Sequence, residues 1–241
     1  MTEHIVRAFE EELVSLGEKI AHMGGLAEKQ LAEAIEALSR RDADLAEVVI
    51  AADKRIDQFE TEIEEQAVLM IARRQPMALD LREIMAAIKI STDLERVGDL
   101  SKNIAKRVLA LGHEVHPKRL IRGVEHMSRL SQEQLKRVLD SYSQRDADAA
   151  VDVWQRDGDI DAMYTSLFRE LLTYMMEDPR NITSCTHLLF AAKNIERIGD
   201  HATNIAETVY YLVHGEPLTD ERPKADKSST TAVPYPDDDK D

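Results

Sequence analysis

Cysteine is almost absent from this chain: Cys185 stands alone in 241 residues. No disulfide can close within the chain, and a cytoplasmic setting is the expectation. Glycine (9) and proline (7) are scarce, and aromatic residues make up only 5%. So little punctuation and so few strand formers exclude a turn-rich β architecture and favour long helices. Positive charge is in deficit, with 31 Lys and Arg against 46 Asp and Glu and a formal net charge of -15. A nucleic-acid partner is excluded on that ground, because phosphate contact needs a basic surface. An acidic chain suits cations, or basic patches on other proteins. No run approaches the ~18 apolar residues of a membrane span. The opening M-T-E-H-I-V-R-A-F-E is charged throughout and has no apolar stretch of the signal-peptide kind. Any membrane association is therefore expected to pass through a partner.

What the chain does have is one stretch written twice. Asp93 to Ala105 reads D-L-E-R-V-G-D-L-S-K-N-I-A, and Asn194 to Ala206 reads N-I-E-R-I-G-D-H-A-T-N-I-A. Glu, Arg, Gly, Asp and Asn recur at matched spacing with aliphatic residues between them. Upstream, Asp53 and Asp57 in D-K-R-I-D match Asp157 and Asp161 in D-G-D-I-D. Acids four residues apart fall on one side of a helix, one turn apart. R-R-D-A-D-L from Arg40 matches Q-R-D-A-D-A from Gln144 at an offset of 104, while Glu95 and Glu196 are offset by 101. The second copy is thus three residues shorter between the two anchors.

Periodicity then places the elements. The first helix covers residues ~3–40, with Leu13, Leu16, Ile20, Met23, Ala27, Leu31, Ala34 and Leu38 at three-four spacing. Gly24-Gly25 inside it marks either a kink or a close helix crossing, at roughly 1 kcal/mol per Gly relative to Ala. Asp42 or Asp44 caps the second helix, whose seam is Val49, Ala52, Ile56, Phe59, Ile63 and Met70, with the acids at its edge and Pro76 as its stop. A third helix spans ~77–111 and ends at Gly112. Its apolar face carries Ile90, Leu94, Val97, Ile104 and Val108, with Glu95 and Asp99 opposite. The second half repeats the plan over ~117–144, ~146–177 and ~182–213. The expected fold is all-α: six long helices in two tandem three-helix bundles, residues 1–113 and 114–215. Trp154 and the methionines at helical spacing belong to core or interface. Residues 216–241 hold four of the seven prolines and end P-D-D-D-K-D; they read as a disordered tail that folding can do without.

Hard divalent cations take oxygen ligands, and clustered carboxylates on neighbouring helices hold them. Asp53, Asp57, Glu95 and Asp99 are the candidate ligands of one site, and Asp157, Asp161, Glu196 and Asp200 those of a second. An isolated i,i+4 acid pair is ordinarily a solvated face; four pairs matched between halves argue for a site. Asn103 and Asn204 can add amide oxygens, and Gly98 and Gly199 clear space beside the acids. Arg96 and Arg197 are expected to neutralise neighbouring acids. His201, where the first copy has Leu100, is either an exposed histidine or an added ligand of the second site.

The duplicated E-R-[VI]-G-D-x-x-x-N-I-A, joined to D-x-x-I-D on the preceding helix, resembles the PhoU family, accessory proteins of bacterial phosphate-specific transport. The resemblance covers residues ~5–213. It implies two three-helix bundles related by a pseudo-twofold axis and metal ions, divalent or trivalent (Mg, Mn, Fe or Zn), held by the eight acids named above. It also implies a homodimer. In function, it implies a cytoplasmic, non-catalytic negative regulator of the phosphate-starvation response and of phosphate uptake. Such a protein joins the ATPase subunit of a phosphate ABC transporter to a sensor histidine kinase. Asp93 in the first motif and Asn194 in the second depart from strict duplication and make the two sites unequal. Two other readings compete. A carboxylate-bridged di-metal enzyme of the ferritin-like type needs Glu-x-x-His pairs, which the chain lacks. A metal-free helical scaffold is the third.

Overall fold

The computed structural model describes residues 2–112, 118–219, 222 and 226. The helices are α1 (Thr2–Arg40), α2 (Ala43–Arg74), α3 (Leu79–Leu111), α4 (Lys118–Gln144), α5 (Ala147–Gln155), α6 (Asp157–Glu177) and α7 (Ile182–His214), with a 3-10 turn at Pro179–Asn181. No strand occurs among the described residues. The six-helix plan holds with one interruption, since α5 and α6 are two segments of the expected fifth helix. The division between the bundles expected at 113/114 and most of the 216–241 tail lie outside the described residues.

The duplication reaches down to the turns. Asp42 caps α2 by accepting the Leu45 amide at 2.9 Å, and Asp146 caps α5 by accepting that of Ala149 at 3.0 Å. Before each cap an arginine takes a left-handed conformation, Arg41 at φ 57 and Arg145 at φ 54. The chain then closes with Asp42 N–H donating to Ala37 O and Asp146 N–H to Ser141 O, both at 3.0 Å.

The break at Arg156 has an identifiable cause. Gln134 on α4 donates its Nε2 to the Arg156 carbonyl at 2.9 Å, and the Arg156 amide closes only a tight turn onto Val153 O at 3.2 Å. A side chain inserted into the ladder interrupts a helix. In the first half the matching Gln30 reaches the Val49 carbonyl at a looser 3.3 Å, and α2 runs on unbroken.

Each bundle buries one seam per helix. On α1 these are Leu16, Ile20, Met23, Ala27, Leu31, Ala34 and Leu38. On α2 they are Ala46, Val49, Asp53, Ile56, Phe59, Ile63, Ala67 and Met70. Ala52, expected in that seam, is exposed, and Asp53 takes its place inside. The bundles join through α1 against α4 and α3 against α7. α1 is continuous through Gly24-Gly25. A Cβ on Gly24 would stand 2.8 Å from Leu139 Cδ1 on α4, so Gly24 is a close crossing between the bundles. The long central helices α3 and α7 run antiparallel, as three contacts along the seam show. Lys89 lies 5.8 Å from the Tyr211 ring, Asp93 Oδ1 lies 2.8 Å from His201 Nδ1, and Arg107 lies 4.7 Å from the Phe190 ring. Trp154 is buried, donating its Nε1 to Glu207 at 3.0 Å.

Candidate functional site

The first acid site forms where α3 crosses α2 at Gly98. A Cβ there would meet Ile56 Cδ1 at 3.0 Å, Gln30 Oε1 at 3.2 Å and Asp53 Oδ1 at 3.3 Å, so glycine is what lets the helices approach. Asp53 is only 3% exposed. It accepts from Gln30 Nε2 at 3.2 Å and is ion-paired to Lys102 Nζ. Lys102 also donates to Asp99 Oδ1 at 2.5 Å. A buried carboxylate needs such a partner, because desolvation is otherwise uncompensated. Burial pushes Asp99 upward, but the Lys102 hydrogen bond and charge outweigh it and leave Asp99 below its ordinary value. Burial likewise depresses Lys102, and its bonds to Asp53 and Asp99 more than reverse that.

The other two acids of this site differ in exposure. Asp57 is exposed, and Glu95 is half-buried with Arg96 Nε 3.4 Å from its Oε2. Burial, then the Asp99 charge, raise Glu95 from 4.5 to about 7. Burial and the Asp53 charge raise Asp57 in the same direction. A carboxyl whose folded value is raised binds more protons in the folded chain. Its contribution to stability is fully present below its unfolded value and is lost as pH rises through its folded value. For Glu95 that window is 4.5 to about 7. Thermal midpoints of the wild-type chain and Glu95→Gln, compared at each pH, should therefore diverge across the window, with the variant gaining relative stability on the alkaline side. Parallel midpoint curves would contradict the assignment.

The second site repeats the crossing at Gly199, where a Cβ would lie 2.8 Å from Ile160 Cδ1. Here Asp157, Asp161 and Glu196 are all buried, and Asp200 is half-buried. Thr203 stands where the first copy has Lys102. Its hydroxyl donates to Asp157 Oδ1 at 2.9 Å and brings no charge. The charge comes from beyond α7. Arg222 forks onto Asp157, with Nε 2.8 Å from Oδ2 and Nη2 3.0 Å from Oδ1. The same Nη2 lies 2.6 Å from Asp200 Oδ1, and Nη1 donates to Asn204 Oδ1 at 3.3 Å. Lys193 pairs with Glu196 Oε1 at 2.9 Å and with Asp226 at 3.1 Å, and the Asp226 amide donates to Asp161 Oδ2 at 3.2 Å. Glu196 Oε2 is buried with no partner among the described residues, and burial raises Glu196 despite Lys193.

As arranged, neither site fits a metal ion. The oxygen donors are of the right class for a hard cation. Yet Lys102 stands between Asp53 and Asp99, and Arg222 between Asp157 and Asp200. Among the described residues no three Asp, Glu, His or Cys side chains converge as a metal would require.

Several assignments change on this geometry. His201 is half-buried and not freely exposed: its Nδ1 meets Asp93 Oδ1, which also accepts Asn204 Nδ2 at 3.2 Å. Asp93 and His201 depart from the duplication together because they meet across the seam between halves. Arg96 sits beside Glu95 and Asp99 as expected. Arg197 is exposed, and Lys193 serves Glu196 instead. The sequence reading missed Gln30, Lys102, Thr203 and Arg222. The exchange of Lys102 for Thr203 in otherwise matched motifs was the visible signal for two of them. The tail is not wholly idle, since Leu218 packs against the core and Arg222 and Asp226 touch the second site.

Comparison with known proteins agrees with this architecture. The family model of the PhoU domain matches twice, at residues 20–108 and 124–209. A Rhizobium meliloti (strain 1021) protein called phosphate-specific transport system accessory protein PhoU homolog is 59% identical over 227 residues, covering 94% of this chain and 96% of that one. A Caulobacter vibrioides (strain NA1000 / CB15N) protein of the same name is 54% identical over 226 residues, 94% of this chain and 98% of that one. Two solved structures superpose closely. PhoU from Pseudomonas aeruginosa has a TM-score of 0.83 at 43% identity, covering 86% of this chain and 100% of that one. The phosphate transport system regulatory protein PhoU from Streptococcus pneumoniae has a TM-score of 0.80 at 30% identity, covering 87% and 99%.

Proposed function

The chain belongs to the PhoU family, and from that premise we propose that it is an accessory regulator of a phosphate-specific transport system, acting by binding and not by catalysis. The observation that carries this reading is the match of both copies of the domain, with relatives of that name aligned over 94% of the chain. In our reading it is a cytoplasmic negative regulator that joins the ATPase subunit of a phosphate ABC transporter to a sensor histidine kinase, as a homodimer. Ample phosphate would then keep the kinase from activating its response regulator. No helix among the described residues is long and apolar enough to cross a membrane, so recruitment through partners supports the same picture. The acidic balance of the chain suits basic faces on those partners.

The rival reading, a ferritin-like di-metal enzyme, loses support on particulars. The chain has no Glu-x-x-His pair, and the acids that would bridge two ions instead hold Lys102 and Arg222.

The test is deletion of the gene in its own host at ample phosphate. Phosphate-starvation genes should then be transcribed, and restoring the wild-type chain should silence them. A deletion strain that keeps those genes silent at high phosphate would sink the regulatory assignment.

A further inference from the structure

The two acid sites are built alike and neutralised differently. In the first, the cation sits one helical turn from its acid on α3: Lys102 follows Asp99 by three residues, so it is present whenever the helix is. In the second, Thr203 leaves that place uncharged, and the guanidinium is delivered by a segment that joins the bundle only beyond the cap of α7 at Gly215. We propose that Arg222 is a tethered counter-ion that closes the second acid site to outside divalent cations, the detachable equivalent of the fixed Lys102.

Three observations support this. The docking is specific: Arg222 makes a fork with Asp157 and a further contact with Asp200, the planar geometry that guanidinium offers and ammonium does not. The segment is seated at neighbouring points, through Leu218 against the core, Asp226 on Lys193 and the Asp226 amide on Asp161. Finally, Glu196 Oε2 is left buried and, among the described residues, unpartnered at the same place. Lys193 and Arg222 between them leave that oxygen unsatisfied, and the cost of an orphaned buried carboxylate oxygen is one a small cation would remove. A tether this short holds the guanidinium at high effective concentration, so an outside ion competes against an intramolecular rival. The first site has no such release, because its cation is part of the helix.

The experiment uses the full chain and Mn2+ alone as probe, with free Mn2+ followed by its paramagnetic resonance signal. Arg222→Ala should bind Mn2+ at least about tenfold more tightly than wild type, the equivalent of removing one modest competitor. Adding Asp200→Asn should return affinity to the wild-type level, which locates the ion. A second measurement needs no metal. Clostripain, which cleaves after arginine even where proline follows as Pro223 does here, must undock Arg222 to reach it, so the cleavage rate there follows the undocked population. Asp200→Asn should speed that cleavage, and so should Thr203→Lys, which installs the first site's ammonium in the second. Mn2+ should speed it in the wild type, by reciprocity of competing ligands. Mn2+ affinity unaltered by Arg222→Ala, or clostripain cleavage after Arg222 equally fast in wild type, Asp200→Asn and Thr203→Lys, would overturn the proposal. Neither result bears on regulation of phosphate transport, which rests on the deletion strain.

Discussion

Replacing Lys102 with methionine is expected to cost about 3–5 kcal/mol of folding stability, the range for removing one partner of a buried ion pair. Methionine keeps the length and helix preference of lysine, so the loss reports the charge. Lys102 alone bridges Asp53, which is 3% exposed, and Asp99. Gln30 is left as the other donor to Asp53 and carries no charge. Without the ammonium, two carboxylates face each other across the α2–α3 crossing. Adding Asp53→Asn should recover most of the loss, because a neutral amide can stay buried beside Gln30 where an unpaired carboxylate cannot. Denaturant midpoints of the two single variants and the double variant test this cycle. A loss under about 1 kcal/mol, the scale of an exposed pair, would show that the site is far wetter than its geometry indicates.

Leu94→Ala should cost about 3–5 kcal/mol, the cavity-dependent range for emptying a leucine site in a packed core. Leu94 is fully buried on α3, and α3 packs against α1 and α2 of its own bundle and against α7 of the other. Damage there should therefore lower a single unfolding transition of the whole chain. Chemical denaturation followed by helical signal should show a lower midpoint with an unchanged slope. Two separate transitions in the variant, one kept at the wild-type midpoint, would mean that the bundles fold independently of their shared seam.

The difference between these residues and their duplicates shows what sequence reading could reach. The acids were legible because they come in repeated pairs at helical spacing, and repetition is a signal that local chemistry cannot produce by accident. Lys102 lies within the same repeat, yet its role was not. A lysine three residues past an aspartate on a helix reads as an ordinary exposed pair. Only the crossing of α2 over Gly98 brings the buried Asp53 to the same ammonium. Asp53 was placed at the edge of its seam because an acid is rarely fully buried, and the price of that rule was to give its inward position to Ala52. The break at Arg156 escaped for a similar reason. Asp157 and Gly158 are tolerable inside a helix, and the interruption comes from Gln134, on another element.

The sequence alone determined the class of fold, the duplication and the pairing of the eight acids, because each depends on neighbours within a turn or two of helix; it left the cap of the second helix open between Asp42 and Asp44. Tertiary structure decided which charge answers which acid. Asp53 finds Lys102 across 49 residues, Asp157 finds Arg222 across 65, and Asp93 finds His201 across 108. An ion pair is fixed by distance in space and by how much water is excluded from it. Neither quantity can be read along the chain until the helices are packed.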